Sequence, residues 1–329
     1  MMQISPEIQL FIREHSSDDV RVLALQAKKY PDIDMPTVIT QIAGRKVAAE
    51  KIPSWWEIEK IWYPKHLSLE QCSSEITARY KARLLQGDSL TDLTGGFGID
   101  CSFLATGFKS ATYVERQEEL CEIAAHNFPV LNLNHINIKN EDGVTYLQAM
   151  SPVDCLFLDP ARRNEHGGKT VAISDCEPNV AELEELLLQK ANRVMIKLSP
   201  MLDLSLALKE LKQTQEVHIL SVNNECKELL ILLGQTSPAE ISIHCVNLFT
   251  KGTQKEQHFV FTREQEQCSE CTYTDSLETY LYEPNASLLK AGAFRSIAAA
   301  YPVRKLHPNS HLYTSDTFIE NFPGRIFRI

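Results

Sequence analysis

The chain has 329 residues, of which 43% are hydrophobic, enough to bury a sizeable core in two or more domains. A formal net charge of −10 argues against a protein that coats nucleic acid nonspecifically. The longest apolar runs, such as "LLILL" at 229–233, fall far short of the ~20 residues that span a bilayer, and the N-terminus lacks a basic stretch followed by an apolar one, so neither a membrane span nor a secretory signal is expected. Nine cysteines, an odd number without framework spacing, fit a reducing cytoplasm.

Residues 1–86 read as a helical segment, broken by Pro31, Pro36, Pro53 and Pro64. Its last piece, "SLEQCSSEITARYKARLL", puts Ser68 three residues before Gln71, a capping-box spacing, and Ile76, Tyr80 and Leu84 on one face, so a single helix is expected there. The tryptophans all fall in "WWEIEKIW", residues 55–62; packing against the next domain is the first reading and stacking on nucleobases the second.

From 87 to 234 short apolar strands alternate with amphipathic helices: "SLTDLT", "SATYVE", "INIKN", "VDCLFLD", "RVMIKLS", "VHILSV" and "LLILLG". Alternation at this spacing predicts a doubly wound α/β domain with a Rossmann-like seven-stranded sheet. Only "NNECKE" separates the last two strands, too little for a crossover helix, so they should pair antiparallel at one edge. Residues 235–276, with "ISIHCVNLF" and "QHFVFTR", read as a small β-rich, ferredoxin-like segment. Residues 277–329 hold a helix candidate capped by Asn285, "NASLLKAGAFRSIAAA", and the strand-like ends "HLYTS" and "GRIFRI", so the tail is an α+β appendage. The chain stops on a strand candidate, as a truncated chain would.

The chemistry centres on "DLTGGFGID", residues 92–100. A dinucleotide loop wants G-x-G-x-x-G, and Cys101 occupies the place of the third glycine. A loop for S-adenosylmethionine wants an acid at the end of the first strand and small residues at alternate positions, which Asp92, Thr94, Gly96 and Gly98 supply. Gly96 and Gly98 would admit the methionine part against the backbone while Asp92 accepts a hydrogen bond from its amino group. The bland alternative is a glycine turn that only lets a strand enter a helix. Glu115 ends the second strand, where an acid can hold both ribose hydroxyls, and Asp142 in "KNEDG" follows the third, placed for the adenine edge. Either acid alone could be a surface residue. The fourth strand delivers "CLFLDPARR": the Asp-Pro turn points Asp159 and the Pro160 carbonyl at the methyl donor, or is simply a turn, while Arg162 and Arg163 suit phosphates or are solvated. A cysteine nucleophile has only Cys176 as a placed candidate, and the lone "CSEC" at 268–271 lacks a second ligand pair, so no metal site is expected.

These residues carry a resemblance. The chain resembles a class I S-adenosylmethionine-dependent methyltransferase: "DLTGGFGIDCSFLA" followed by "VER", and later "FLDP", is similar to the bacterial enzymes that methylate guanine N2 in small-subunit rRNA. More closely, "SLEQCSSEITARYKA", "DLTGGFGID", "LDPARR" and "YEPNASLLKAG" together resemble a bacterial group of methyltransferases with a THUMP-like C-terminal domain. The catalytic resemblance covers about residues 68–234, and 277–329 would be the THUMP-like part. It implies S-adenosyl-L-methionine as cofactor, contacted by Asp92, Thr94, Gly95, Gly96, Phe97, Gly98, Asp100, Glu115, Arg116, Asp142 and Gly143, with Asp159, Pro160, Arg162 and Arg163 as the catalytic set. It also implies RNA (tRNA or rRNA) as partner, methylated on a base nitrogen. The Pro-Pro-aromatic that follows the acid in many base-amine methyltransferases is Pro-Ala-Arg here, with no aromatic to stack a base. A protein or small-molecule substrate, or an RNA-binding protein with a vestigial cofactor fold, are the alternatives. For RNA speaks the stretch from Pro284 to Ile329, where Lys290, Arg295, Arg304, Lys305, Arg325 and Arg328 outnumber Asp316 and Glu320 on an otherwise acidic chain.

Overall fold

A computed structural model describes residues 4–162, 172–236 and 238–329. The chain forms two compact units, Met1–Phe157 and Leu158–Ile329.

The first unit begins with helices α1 (Pro6–Glu14), α2 (Val20–Leu25), α3 (Met35–Lys51) and α4 (Pro53–Trp56). Ser5, Asp19 and Asp34 cap the first three by accepting from backbone N–H groups of the opening turn. The expected helix around 68–85 is in fact two, α5 (His66–Gln71) and α6 (Glu75–Ala82). Cys72 and Ser74 are extended between them, and Ser68 lies inside α5 rather than capping it. The cause is Ser73, whose hydroxyl is drawn into a buried polar contact with Asp100 instead of continuing the helix. The buried face of α6 is accordingly Thr77, Ala78, Tyr80 and Lys81, with Ile76 and Leu84 only half-buried. Trp55 is buried edge-on to Phe97 at 5.2 Å, and Trp62 stacks on His126 at 3.8 Å, so two of the three tryptophans serve packing.

Strands β1 (Ser89–Asp92), β2 (Ser110–Glu115), β3 (Ile136–Asn140) and β4 (Val153–Leu158) alternate with α7 (Ile99–Ala105), α8 (Glu118–Val130) and α9 (Gly143–Ala149). The strands are parallel in the order β4-β1-β2-β3, with Asp92 level with Tyr113 and Phe157. Parallel order puts the carboxyl ends of β1, β2 and β3 on one edge.

In the second unit the short pair β5 (Ala161–Arg162) and β6 (Cys176–Glu177) precedes α10 (Val180–Lys190), β7 (Ala191–Leu198), α11 (Leu204–Glu210), β8 (Thr214–Val222), β9 (Glu225–Gly234), β10 (Ser242–Leu248), β11 (Glu256–Thr262) and α12 (Arg263–Cys268). β8 and β9 pair antiparallel as expected. They do not close an edge: β9 lies between β7 and β8, and β10 pairs parallel with the other side of β8, followed by antiparallel β11. The two strands placed in a separate 235–276 segment therefore extend this sheet, since β10 buries Ile243, Cys245, Val246 and Leu248 and an edge of β8 left open would be an unpaired ladder. A second, small antiparallel sheet follows, from β12 (Tyr280–Pro284), β13 (Arg304–Lys305), β14 (Tyr313–Ser315) and β15 (Gly324–Arg328). Its helix is split into α13 (Ala286–Ala291) and α14 (Phe294–Ala300) by Gly292, whose φ of +77° belongs to the left-handed region. Asn285 caps α13 by accepting from Leu288 N. The α/β class read from the sequence is the class found. No helix among the described residues is long and apolar enough to cross a membrane, and none of the nine cysteines forms a disulfide.

Candidate active site

The glycine loop follows β1 in the first unit. Asp92, 1% exposed, ends the strand, and its Oδ1 accepts the Thr94 N–H at 3.0 Å, starting the turn. Gly95 donates to the Val114 carbonyl at 2.8 Å and lies so close to Tyr113 that a Cβ would sit 2.3 Å from its ring. Gly96 then adopts a φ of +54° and Gly98 one of +86°, where it becomes the N-cap of α7.

The peptide groups on either side of Gly96 are held from β2. The Gly96 N–H donates to Glu115 Oε2 at 2.9 Å, and the Tyr113 hydroxyl donates to the Gly96 carbonyl at 2.5 Å. Tyr113 and Glu115 are two apart on the strand and so share a face. Burial, reinforced by the adjacent Glu115 carboxylate, pushes the Tyr113 phenol well above its usual range, which keeps the donor protonated. The other Glu115 oxygen accepts from Gln117 N at 2.9 Å. Each carboxylate oxygen has two lone pairs, so one hydrogen bond to the backbone leaves capacity for a ligand hydroxyl. A Cβ on Gly96 would meet only the Thr94 carbonyl, at 3.8 Å, so the loop faces open space there.

The remaining predicted contacts divide. Asp142 caps α9, its Oδ1 accepting from Val144 N and Thr145 N at 3.0 Å each. Gly143 has no room for a side chain, since a Cβ would lie 2.2 Å from the Leu93 carbonyl. The beginning of α9 thus packs directly on the loop. Arg116 is exposed, and its carbonyl accepts from Asn140 Nδ2 at 3.1 Å. Phe97 and Asp100 face inward. Phe97 joins the core with Trp55 and Tyr63, and Asp100 pairs at 3.0 Å with Lys81, which is fully buried, while accepting from Ser73 Oγ at 2.7 Å. These two brace the loop from behind. Sequence reasoning missed Tyr113, although its spacing from Glu115 was a usable signal, and Lys81, whose helical spacing from Thr77 placed it on the buried face.

In the second unit Asp159 follows β4 and forms a 2.5 Å ion pair with Lys197, near the end of β7. The Lys197 side chain is 11% exposed against 37% for Asp159, so the lysine is the anchored partner. A lone lysine inside the apolar run "RVMIKLS" was the available sign of it in the sequence. Pro160 is buried, and Ala161 and Arg162 pair by their backbones with Glu177 and Cys176. Arg163 lies outside the described residues. Cys176 is 2% exposed, which argues against its use as a nucleophile.

The basic tail is engaged internally to a large extent. Arg304 pairs with Glu278, Arg325 with Glu283 at 2.6 Å, Lys290 donates to the Leu202 carbonyl, and Lys305 is 4% exposed and donates to the Pro308 carbonyl. These four of the six basic side chains of the tail thus have partners within the chain.

A family described as a ferredoxin-like domain matches residues 280–323, which hold β12, β13, β14 and the helices α13 and α14, rather than 235–276. No curated protein matches the chain. The crystal structure of a candidate methyltransferase from Porphyromonas gingivalis W83 is 36% identical, with a TM-score of 0.86 over 98% of this chain and 80% of that one. Two more distant structures align over about half of the chain: an rRNA methylase of Streptococcus thermophilus, 14% identical over 48% of this chain and 93% of that one with a TM-score of 0.35, and a candidate methyltransferase of Streptococcus mutans in complex with SAH, 13% identical over 49% and 96% with a TM-score of 0.35. At that distance they add nothing about this chain. Identity and coverage in the first comparison are of another order, and this chain belongs to the family of the Porphyromonas gingivalis protein.

Proposed function

We propose that this protein is an S-adenosyl-L-methionine-dependent methyltransferase that acts in the cytoplasm on a base nitrogen in RNA. The observation that carries the cofactor reading is the Gly96 peptide, fixed from β2 by Glu115 and Tyr113 while the space over its Cα stays open. That is what a ligand lying against backbone requires. When bound, S-adenosylmethionine supplies a sulfonium methyl group that is already electrophilic. The protein's task is then alignment and exclusion of water. Asp92 and the loop residues Thr94, Gly95, Gly96 and Gly98 would receive the methionine part, Glu115 the ribose, and Arg116, Asp142 and Gly143 would border the base. Phe97 and Asp100 would act only by holding the loop.

Asp159 and the Pro160 carbonyl would orient the acceptor amine, with Lys197 fixing the Asp159 carboxylate, and Arg162 and Arg163 would meet phosphates. Replacing Lys197 with Met should lower turnover by roughly 10- to 100-fold, the value of one hydrogen bond to a charged group, and leave cofactor affinity within about twofold. Single-turnover kinetics beside calorimetry would separate the two, and a loss confined to affinity would remove Lys197 from this role.

Transfer of label from methyl-labelled cofactor to total RNA and, separately, to lysate protein tests the substrate class. Label in RNA alone is the expected result. The internal pairing of Arg304, Arg325 and Lys305 favours a second reading, a protein or small-molecule acceptor, and label in protein alone would establish it.

A further inference from the structure

On one face of the second unit's sheet, three histidines and a glutamate that are far apart in sequence come together. His218 on β8 and His244 on β10 are direct partners in the parallel ladder, with rings stacked at 4.3 Å. His258 on β11 stands diagonally across from His244, opposite Val246. Its Nε2 lies 3.1 Å from His244 Nδ1. Glu216 precedes His218 by two residues on the same face, and its Oε2 lies 3.3 Å from His218 Nε2. The ligand atoms of Glu216, His218 and His244 all fall within 4.8 Å of one another.

We propose that Glu216, His218, His244 and His258 form a binding site for one transition-metal ion of the zinc type. Zinc takes imidazole nitrogens at ~2.0–2.1 Å in tetrahedral geometry, which sets neighbouring ligand atoms ~3.3 Å apart. Two of the contacts, 3.1 and 3.3 Å, already have that separation. The widest separation in the Glu216, His218 and His244 group closes by small side-chain rotations. Imidazole donors select zinc, nickel or copper over magnesium and calcium, which want oxygen.

The neighbours fit such a site. Arg193 donates to Glu216 Oε1 at 2.7 Å, which orients the carboxylate and leaves Oε2 toward the histidines. Ser242 Oγ lies 3.1 Å from His244 Nε2, so that ring is oriented as well. Glu256 stands 4.0 Å from His258 Nδ1 and adds negative charge. His218 is 2% exposed, whereas the His258 side chain is 40% exposed, so an ion has a way in from solvent. Because the ligands come from β8, β10 and β11, the ion would tie the β10–β11 hairpin to β8. The site has no bearing on whether the protein transfers methyl groups.

The test uses the full chain without a histidine tag, stripped with a chelator, dialysed, and titrated with zinc against a competing chromophoric chelator. One ion per chain with submicromolar affinity is expected, together with a visible absorption band on cobalt substitution. Zinc at 100 times its Kd should raise Tm by roughly 5 °C. His244→Gln should weaken binding about 100-fold or more. Should that variant fail to fold by circular dichroism, His258→Ala, at the exposed rim, decides in its place and should weaken binding about 10-fold or more with loss of the Tm shift. Wild-type protein without zinc binding below 100 µM, or a folded variant that binds as wild type does, would overturn the proposal.

Discussion

Alanine at Glu115 should reduce affinity for S-adenosylmethionine by about 100-fold or more. The carboxylate would hold two ribose hydroxyls, and each hydrogen bond to a charged group is worth ~1.5–3 kcal/mol. It also pins the Gly96 N–H, so its loss frees the loop that the cofactor must find ordered. Tyr113→Phe separates these contributions. It removes the bond to the Gly96 carbonyl and touches no ribose, so it should cost only the net worth of one neutral hydrogen bond, up to about 10-fold. Calorimetry with cofactor and with its demethylated product would read both. Equal losses in the two variants would mean that Glu115 acts on the loop alone.

Replacing Lys81 with Met should destabilise the fold by ~3–5 kcal/mol, because it leaves the buried Asp100 carboxylate without its cationic partner. For a unit of this size that corresponds to a drop in Tm of the order of 10 °C. The double replacement Lys81→Met with Asp100→Leu should recover much of the loss, since apolar groups of similar volume often replace a buried ion pair without penalty. Thermal melts of the three proteins test this. A single variant as stable as wild type would show that water reaches the pair.

What the sequence made legible was what local pattern controls. The seven strands, the loop at their first carboxyl end and the Asn285 cap each rest on period, glycine placement or a capping side chain within a few residues. What it hid depends on partners distant along the chain. The break between α5 and α6 arises from Ser73 meeting Asp100, a contact across 27 positions. The inward turn of Phe97 arises from Trp55 and Tyr63, which no period within the loop announces. The partners of the tail's basic residues were hidden as well: Arg325 meets Glu283 through the register of β15 on β12, and Arg304 meets Glu278 from a distant part of the chain. The histidine cluster was hidden for the same reason, its members being joined only when β10 and β11 extend the sheet. A metal was excluded on cysteine spacing, and spacing is silent about ligands brought together by cross-strand neighbours.

The missing side chain at Gly143 carries a consequence for motion. With the Leu93 carbonyl against its Cα, the first turn of α9 cannot settle unless the loop after β1 is in place. Local opening of the helix and disorder of the loop are then one equilibrium. A ligand that favours the ordered loop must slow amide exchange in α9 by the same factor, although it touches no atom of that helix beyond the first turn. Exchange rates of the Tyr146 and Leu147 amides, followed with and without cofactor, should therefore report occupancy of the loop from a distance.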